Sequence, residues 1–432
     1  MIGSIRQRSS FAALAVAIFS VVGLVGCSSP SDSGPQTLTV WSPQEQWQKS
    51  ADFLEENTAA LAEKYPGVKV DFVQIPYAEY EARYQAAFSS GGQNAPDVFI
   101  GPVPYYAYLG VATEAPADLQ KSWSANVVNS ISAAFQVDGK WYGYPDSADL
   151  GMELYYNKAI FASAGLDPEN PPTTFDELLD YAKKLTIVED GKIAQNGISV
   201  RYDGSPTGIA DKAIPYIHAF GGQLYAEDYS TAEGYLNGSG TVAGLKYLQN
   251  LVQGSEAVAS LELGNPDNTF AQGLSAMTFR EAWYAGYLDT NSPDLDYAVV
   301  PLPTGPGGYP KVSLLFNWAF MVYAKGPHQE LAWDWLRVTF DDKTDLKIAE
   351  MEGYLPVLEA NYADPYVADR VDYSAVQKQI SEGPGPQYSS PMSVQINARI
   401  GEAIEAILQG SDVKKTVDAA VPEINEMLKK GN

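Results

Sequence analysis

Apolar positions along the chain switch between two periods. Thr37-Leu38-Thr39-Val40-Trp41 predicts a buried strand, and Trp47, Ala51, Leu54, Leu61 and Tyr65 then recur at helical spacing until Pro66-Gly67 ends the helix. Val68, Val70 and Phe72 alternate as a second strand. Tyr77, Tyr80, Tyr84 and Phe88 mark a second helix, and Val98-Phe99-Ile100 a third short strand. This strand-helix order predicts an α/β fold on a mainly parallel sheet with helices on both faces. Ligands on such sheets sit beyond the carboxyl ends of the strands, here after Trp41 and Ile100.

Further along, Asp138-Gly139 is a tight-turn pair between Phe135 and Val137 on one side and Trp141 and Tyr142 on the other, the pattern of a hairpin. Leu154-Tyr155-Tyr156 reads as a strand crossing to a second lobe. Thr174 with Glu177 forms a capping box, and Phe175, Leu178, Leu179, Ala182 and Leu185 give that helix its buried face. Later helices are predicted around Leu331–Leu336, Ile396–Ile407 and Val417–Leu428. No fixed-period repeat is present, and the Pro- and Gly-rich stretch Pro301–Pro310 is a loop placed for a return crossing.

The first residues have a different character. Arg6 and Arg8 precede an apolar run from Phe11 to Val22, which is too short to span a hydrocarbon core of roughly 30 Å. Leu24-Val25-Gly26-Cys27 then places small residues before a Cys, the layout of a lipobox. Residues 1–26 are therefore predicted to be a signal peptide that is cut away, and Cys27 the lipidation site. Residues 27–36 form a lipid-anchored flexible linker of Ser, Pro and Gly. The protein is expected to be exported and held at the extracytoplasmic face of the cell membrane by that anchor alone. Cys27 is the only Cys, so no intrachain disulfide can form.

Composition narrows the function. At 432 residues and 45% apolar content the chain can bury two cores. A formal net charge of -25 repels phosphate backbones and excludes nucleic acid as a partner. The sequence has no phosphate loop, no His-Glu-x-x-His pair and no Gly-x-Ser-x-Gly elbow. His218 sits in an apolar setting that suits the core, so no metal and no cofactor is expected. Tyr (28) outnumbers Phe (15), and there are 8 Trp. Rings with a polar handle suit half-apolar ligands such as sugars.

Asp146, Asp149 and Glu153 lie within Asp138–Lys158, and a glycosidase needs two carboxyls about 5 to 9 Å apart. Three acids so close are common in an acidic chain, and the segment reads better as a binding and hinge element with no catalytic residue. Aromatic and polar residues also pair at element ends: Trp41 with Gln44, Tyr105 with Tyr106, Arg280 with Trp283, Asn317 with Trp318, and Tyr354. Two rivals stand beside a sugar receptor. One is a lipid-anchored glycosidase, and the other a receptor of the same fold for a metal ion or other small solute, with Tyr105-Tyr106 or Tyr155-Tyr156 as phenolate ligands.

An ordered set of motifs carries a family resemblance. It comprises Lys64-Tyr65-Pro66-Gly67-Val68, Ala95-Pro96-Asp97-Val98, Asp138-Gly139-Lys140-Trp141-Tyr142-Gly143, Leu154-Tyr155-Tyr156-Asn157-Lys158, Pro172-Thr173-Thr174-Phe175-Asp176-Glu177-Leu178, Phe220-Gly221-Gly222, Ala276-Met277 with Trp283, and Gly353-Tyr354-Leu355-Pro356. In order and spacing the chain resembles family 1 of the extracellular solute-binding proteins, the maltose and multiple-sugar receptors of ABC importers. The resemblance implies a two-lobed periplasmic-binding-protein-like fold of type II, with a ligand cleft between the lobes and a multi-strand hinge. It assigns residues 37–150 and 316–352 to the N-terminal lobe, and 151–315 and 353–432 to the C-terminal lobe.

It further implies a monomeric receptor that delivers a sugar or oligosaccharide to permease subunits served by a separate ATPase. Ligand contacts are expected at Trp41, Gln44, Tyr105, Asp146, Glu153, Arg280, Trp283, Asn317, Trp318 and Tyr354. The chain departs from the family at Arg280-Glu281, where many members have Gly two residues before the Trp. It departs again at Phe316-Asn317-Trp318, in place of Gly-Gly-Trp.

Overall fold

The computed structural model describes residues 36–431 except 44–47, 57–58, 78, 93, 148–150, 311–317 and 383–389. Cys27, Gln44, Asn317 and Asp149 lie outside the described residues. The opening order forms as predicted, with β1 (Thr37–Ser42), β2 (Lys69–Gln74) and β3 (Val98–Pro102) alternating with helices Gln48–Glu56, Ala59–Lys64 and Tyr80–Ser89, although Tyr77, expected on the last of these helices, stands in a turn before it. Within the span Trp47–Tyr65, where one helix is expected, helices Gln48–Glu56 and Ala59–Lys64 are described, and residues 57 and 58 between them lie outside the described residues. A hairpin of β4 (Gln136–Val137) and β5 (Lys140–Trp141) turns at Asp138 (φ 52) and Gly139 (φ 75). Two left-handed residues in succession match the right-handed twist of paired strands. After β6 (Gly143–Pro145) the chain continues through β7 (Glu153–Asn157), β8 (Ile187–Glu189), β9 (Lys192–Gln195), β10 (Met277–Arg280), β11 (Tyr297–Pro301) and β12 (Trp318–Val322).

The first sheet has the order β2-β1-β3-β12-β6. β1 pairs in parallel with β2 and β3, whereas β12 is antiparallel to both β3 and β6. The expectation of a mainly parallel sheet therefore holds only for its first half. Parallel neighbours need a crossover helix between them, and β12 arrives instead from the second half of the chain. A second sheet, β10-β7-β11, is antiparallel throughout, and β8 with β9 forms a separate hairpin.

Burial separates two main cores. Leu38, Val40, Phe99, Phe320, Met321 and Trp335 lie in the first, and Leu154, Phe161, Leu178, Ile214, Ile404 and Val421 in the second. A small third cluster, with Tyr155, Tyr284, Leu288 and Val299, packs at the second sheet. The predicted capping box of Thr174 and Glu177 starts helix Phe175–Leu185. Helices Gln329–Thr339, Ser393–Leu408 and Val413–Gly431 contain the later apolar repeats. One boundary differs from the sequence reading. Leu355, Val357, Leu358, Val367 and Val376 pack in the first core, although the break at 352/353 assigned them to the second lobe. Local periodicity does not record which core a helix joins. Among the described residues no helix is long and apolar enough to cross a membrane.

Candidate ligand cleft

Strand direction brings several of the expected residues to one edge of the first sheet. Trp41 and Ser42 close β1, and β3 ends at Pro102. Trp318, which opens the antiparallel β12, lies opposite Pro102. β6 runs parallel to β3, so the residue after it, Asp146, reaches the same edge, where its amide donates to the Trp318 carbonyl at 3.1 Å. Tyr105 stands on helix Val103–Tyr108, which begins directly after β3. Trp41, Tyr105, Asp146 and Trp318 thus share the carboxyl edge, although Asp146 and Trp318 are buried there and Trp41 and Tyr105 partly exposed.

Three further aromatics complete this edge. The Tyr77 ring stacks on Trp318, with centroids 6.1 Å apart and planes 15° from parallel, and Tyr80 lies 5.4 Å from the same indole. Tyr84 sits 6.1 Å from Trp41. The sequence marks these tyrosines as one face of a helix, but the spacing carries no sign that the face meets Trp41 and Trp318. The fully buried Tyr84 hydroxyl is 3.0 Å from the carbonyls of both Trp41 and Ile100 and bridges two strand ends. Tyr84→Phe removes the donor and leaves those acceptors buried, so urea unfolding should show a loss of about 1–3 kcal/mol.

The second sheet presents its own edge. Glu153 opens β7 and pairs in register with Arg280 at the end of β10 and with Pro301 at the end of β11. Arg280, with its side chain 5% exposed, places Nε 3.1 Å from Asp267 Oδ1 and 3.7 Å from Glu281 Oε2. Its guanidinium lies 4.8 Å from the centre of the Trp283 ring, a cation–π contact. Glu281 also pairs with Lys212. Burial alone would raise the Glu281 carboxyl, but Lys212 and Arg280 together hold it below the usual range. The Arg280-Glu281 departure from the family pattern is thereby accounted for: both side chains are engaged in one ion network, which Arg201 joins 3.6 Å from Asp267.

Residues from the two edges meet. The Tyr77 hydroxyl is hydrogen-bonded to Ser205, the N-cap of helix Pro206–Ala219, and Tyr105 to Gln395 on helix Ser393–Leu408. Both helices pack in the second core. Tyr354 lies elsewhere in this junction. It follows Gly353 (φ 76), whose Cα would be 2.2 Å from a Cβ on Gly286, so the helix begun by Trp283 and the Tyr354 loop touch backbone to backbone. Arg370, which sequence reasoning missed, gathers this junction. Its Nη2 donates to the Ala282 carbonyl at 2.9 Å and its Nη1 to the Gly353 carbonyl at 2.8 Å, while Asp372 accepts from it twice.

The tyrosine pairs offer little to a hard cation. Tyr155 donates to the Glu281 carbonyl at 3.0 Å and Tyr156 to the Pro168 carbonyl at 2.7 Å. Burial pushes the phenols of Tyr106 and Tyr155 well up, which opposes phenolate formation. Among the described residues no group of three or more His, Cys, Asp or Glu is set to hold a metal ion.

Two α/β cores, with an aromatic edge on one facing a charged, ion-paired edge on the other, define the class of two-lobed binding proteins. The chain belongs to the family of bacterial extracellular solute-binding proteins, whose model matches residues 46–344. It is 25% identical over 381 residues to the diacetylchitobiose binding protein DasA of Streptomyces coelicolor, covering 82% of this chain and 83% of that one. Its fold superposes on an ABC transporter solute-binding protein from Thermotoga lettingae bound with alpha-D-tagatose, with a TM-score of 0.76, 24% identity and coverage of 91% and 100%. It also superposes on the GacH receptor of Streptomyces glaucescens, solved unliganded and with acarbose, with a TM-score of 0.78, 21% identity and coverage of 92% and 100%.

Proposed function

We propose that this protein is a lipid-anchored receptor, not an enzyme, that takes a sugar or oligosaccharide between two closing lobes and delivers it to an ABC transporter permease. The observation that carries the reading is the row of Trp41, Tyr77 and Trp318 along the carboxyl edge of the first sheet, facing polar and charged groups on the other lobe. Such rings pack on the apolar faces of a sugar, while carboxylate, amide and hydroxyl groups orient its hydroxyls. Relatives named for diacetylchitobiose, tagatose and acarbose support the same class of ligand.

Trp41, Tyr105, Asp146, Trp283 and Trp318 are the contacts we favour, with Glu153, Arg280 and Tyr354 beside them. Acylation of Cys27 on its short polar leash would keep the receptor at the outer face of the membrane. There it raises the effective concentration at the permease without adding any contact. The test is a thermal-shift screen of the purified protein against mono-, di- and oligosaccharides. A ligand at 100 times its Kd should stabilise by about 2.7 kcal/mol, and a melt that no saccharide moves contradicts the reading.

A further inference from the structure

The ion network on the second lobe places each of three cations within ion-pair distance of an acid, and leaves one neighbouring acid outside it. Lys212 pairs with Glu281, Arg280 with Asp267 and Glu281, and Arg201 with Asp203 and Asp267. Asp211, one residue before Lys212 on helix Pro206–Ala219, is 8% exposed and has no hydrogen bond or ion pair among the described residues. A carboxylate so buried ordinarily has partners, because its desolvation is otherwise uncompensated. Its position explains what it faces. The helix begins at Ser205, which is bonded to Tyr77, and the field of Asp211 acts directly on the Tyr77 phenol. Asp211 is therefore near enough to Tyr77, which stacks on Trp318, for its charge to act on that phenol.

We propose that Asp211 is a ligand-recognition residue of this cleft, accepting hydrogen bonds from hydroxyl or ammonium donors of a saccharide and turning away sugars that carry a carboxylate or phosphate. The assignment rests on the saccharide-receptor reading. A ring stacked on the aromatic edge offers its hydroxyls sideways, where a buried acceptor bonds strongly to them. An anionic sugar would instead bring a like charge up to the Asp211 carboxylate, which opposes its binding.

The groups acting on Asp211 are Lys212 on its own helix, Glu281 after β10, Arg201 before the helix and Tyr77 from the first lobe. Burial, reinforced by Glu281 and only partly offset by Lys212 and Arg201, raises its carboxyl to about 7. Donors on a ligand favour the charged form, so binding expels the proton. Affinity is then full above pH 7 and falls as the pH drops below it, by up to about tenfold per unit.

The experiment is calorimetric titration of the purified protein at pH 5.5, 7 and 8.5 with maltose, unacetylated chitobiose, glucuronic acid and glucose 6-phosphate. A neutral or amino sugar should bind, more weakly at pH 5.5, with proton release, while the two anions should give no signal. Asp211→Asn should weaken binding at pH 8.5 by about tenfold or more and abolish the pH dependence. The pH series on the unaltered protein keeps the test decisive should that variant fail to fold. Saccharide binding that is independent of pH, or unchanged in Asp211→Asn, overturns the role of Asp211 and leaves the receptor reading standing. Binding of glucuronic acid or glucose 6-phosphate in preference overturns it too. A protein that binds none of the four overturns the saccharide reading and this assignment together.

Discussion

Trp283→Ala should weaken saccharide binding by at least roughly thirtyfold, about 2 kcal/mol, while leaving the fold intact. The indole starts helix Trp283–Asn291 directly after β10 and is only partly buried. Its ring contacts are the Arg280 guanidinium and edge-on packing with Tyr284 and Tyr287 at 5.6 and 6.0 Å. Truncating a ring so placed opens little cavity. The stability cost should therefore be well below the roughly 3–5 kcal/mol typical of an enclosed Trp. The affinity cost should be large, because a partly buried indole beside a desolvated Arg is the kind of anchor that dominates binding energy. Titration with the saccharide of largest thermal shift, alongside a urea curve, separates the two. A variant that unfolds but still binds when folded would make Trp283 a packing residue.

Arg370→Ala should cost about 3–5 kcal/mol in urea unfolding, the largest stability effect we anticipate. Asp372 is fully buried and accepts from Arg370 Nε at 2.8 Å and from Nη2 at 2.7 Å. Removing the guanidinium strands that carboxylate without a counter-ion. It also frees the carbonyls of Ala282, Gly353 and Tyr354, which the same fork holds at 2.9, 2.8 and 3.2 Å. Arg370→Lys keeps the charge but not the planar fork, and should recover only part of the loss. Equal stability of Arg370→Ala and the unaltered protein would show that the Gly286–Gly353 contact holds this junction alone.

Local features were legible in the sequence because short-range chemistry determines them. The Asp138-Gly139 turn, the Thr174 capping box and the βαβαβ opening each follow from residues within a few positions of one another. Edge position was legible too, since residues just past strand ends collect on one side of a sheet, and Trp41, Asp146 and Trp318 do so. What remained hidden joins distant segments. Lys212 meets Glu281 across 69 residues, and Arg370 meets Ala282 across 88. Tyr77, the stacking partner of Trp318, fits the helical spacing of Tyr80 and Tyr84 yet stands in the turn before their helix, and the lobe of Leu355 and Val367 depends on packing that no periodicity encodes. Asp211 stood in an apolar run whose spacing gave it no distinction.

The central claim, capture of a sugar between the two lobes, is tested most directly by isothermal titration calorimetry of the purified protein with maltose, cellobiose and N,N'-diacetylchitobiose. Our account predicts saturable one-to-one binding of at least one of them, with a negative heat-capacity change from burial of aromatic and sugar surface. Absence of heat with every saccharide, together with saturable binding of a ferric salt, an amino acid or a peptide, would contradict it.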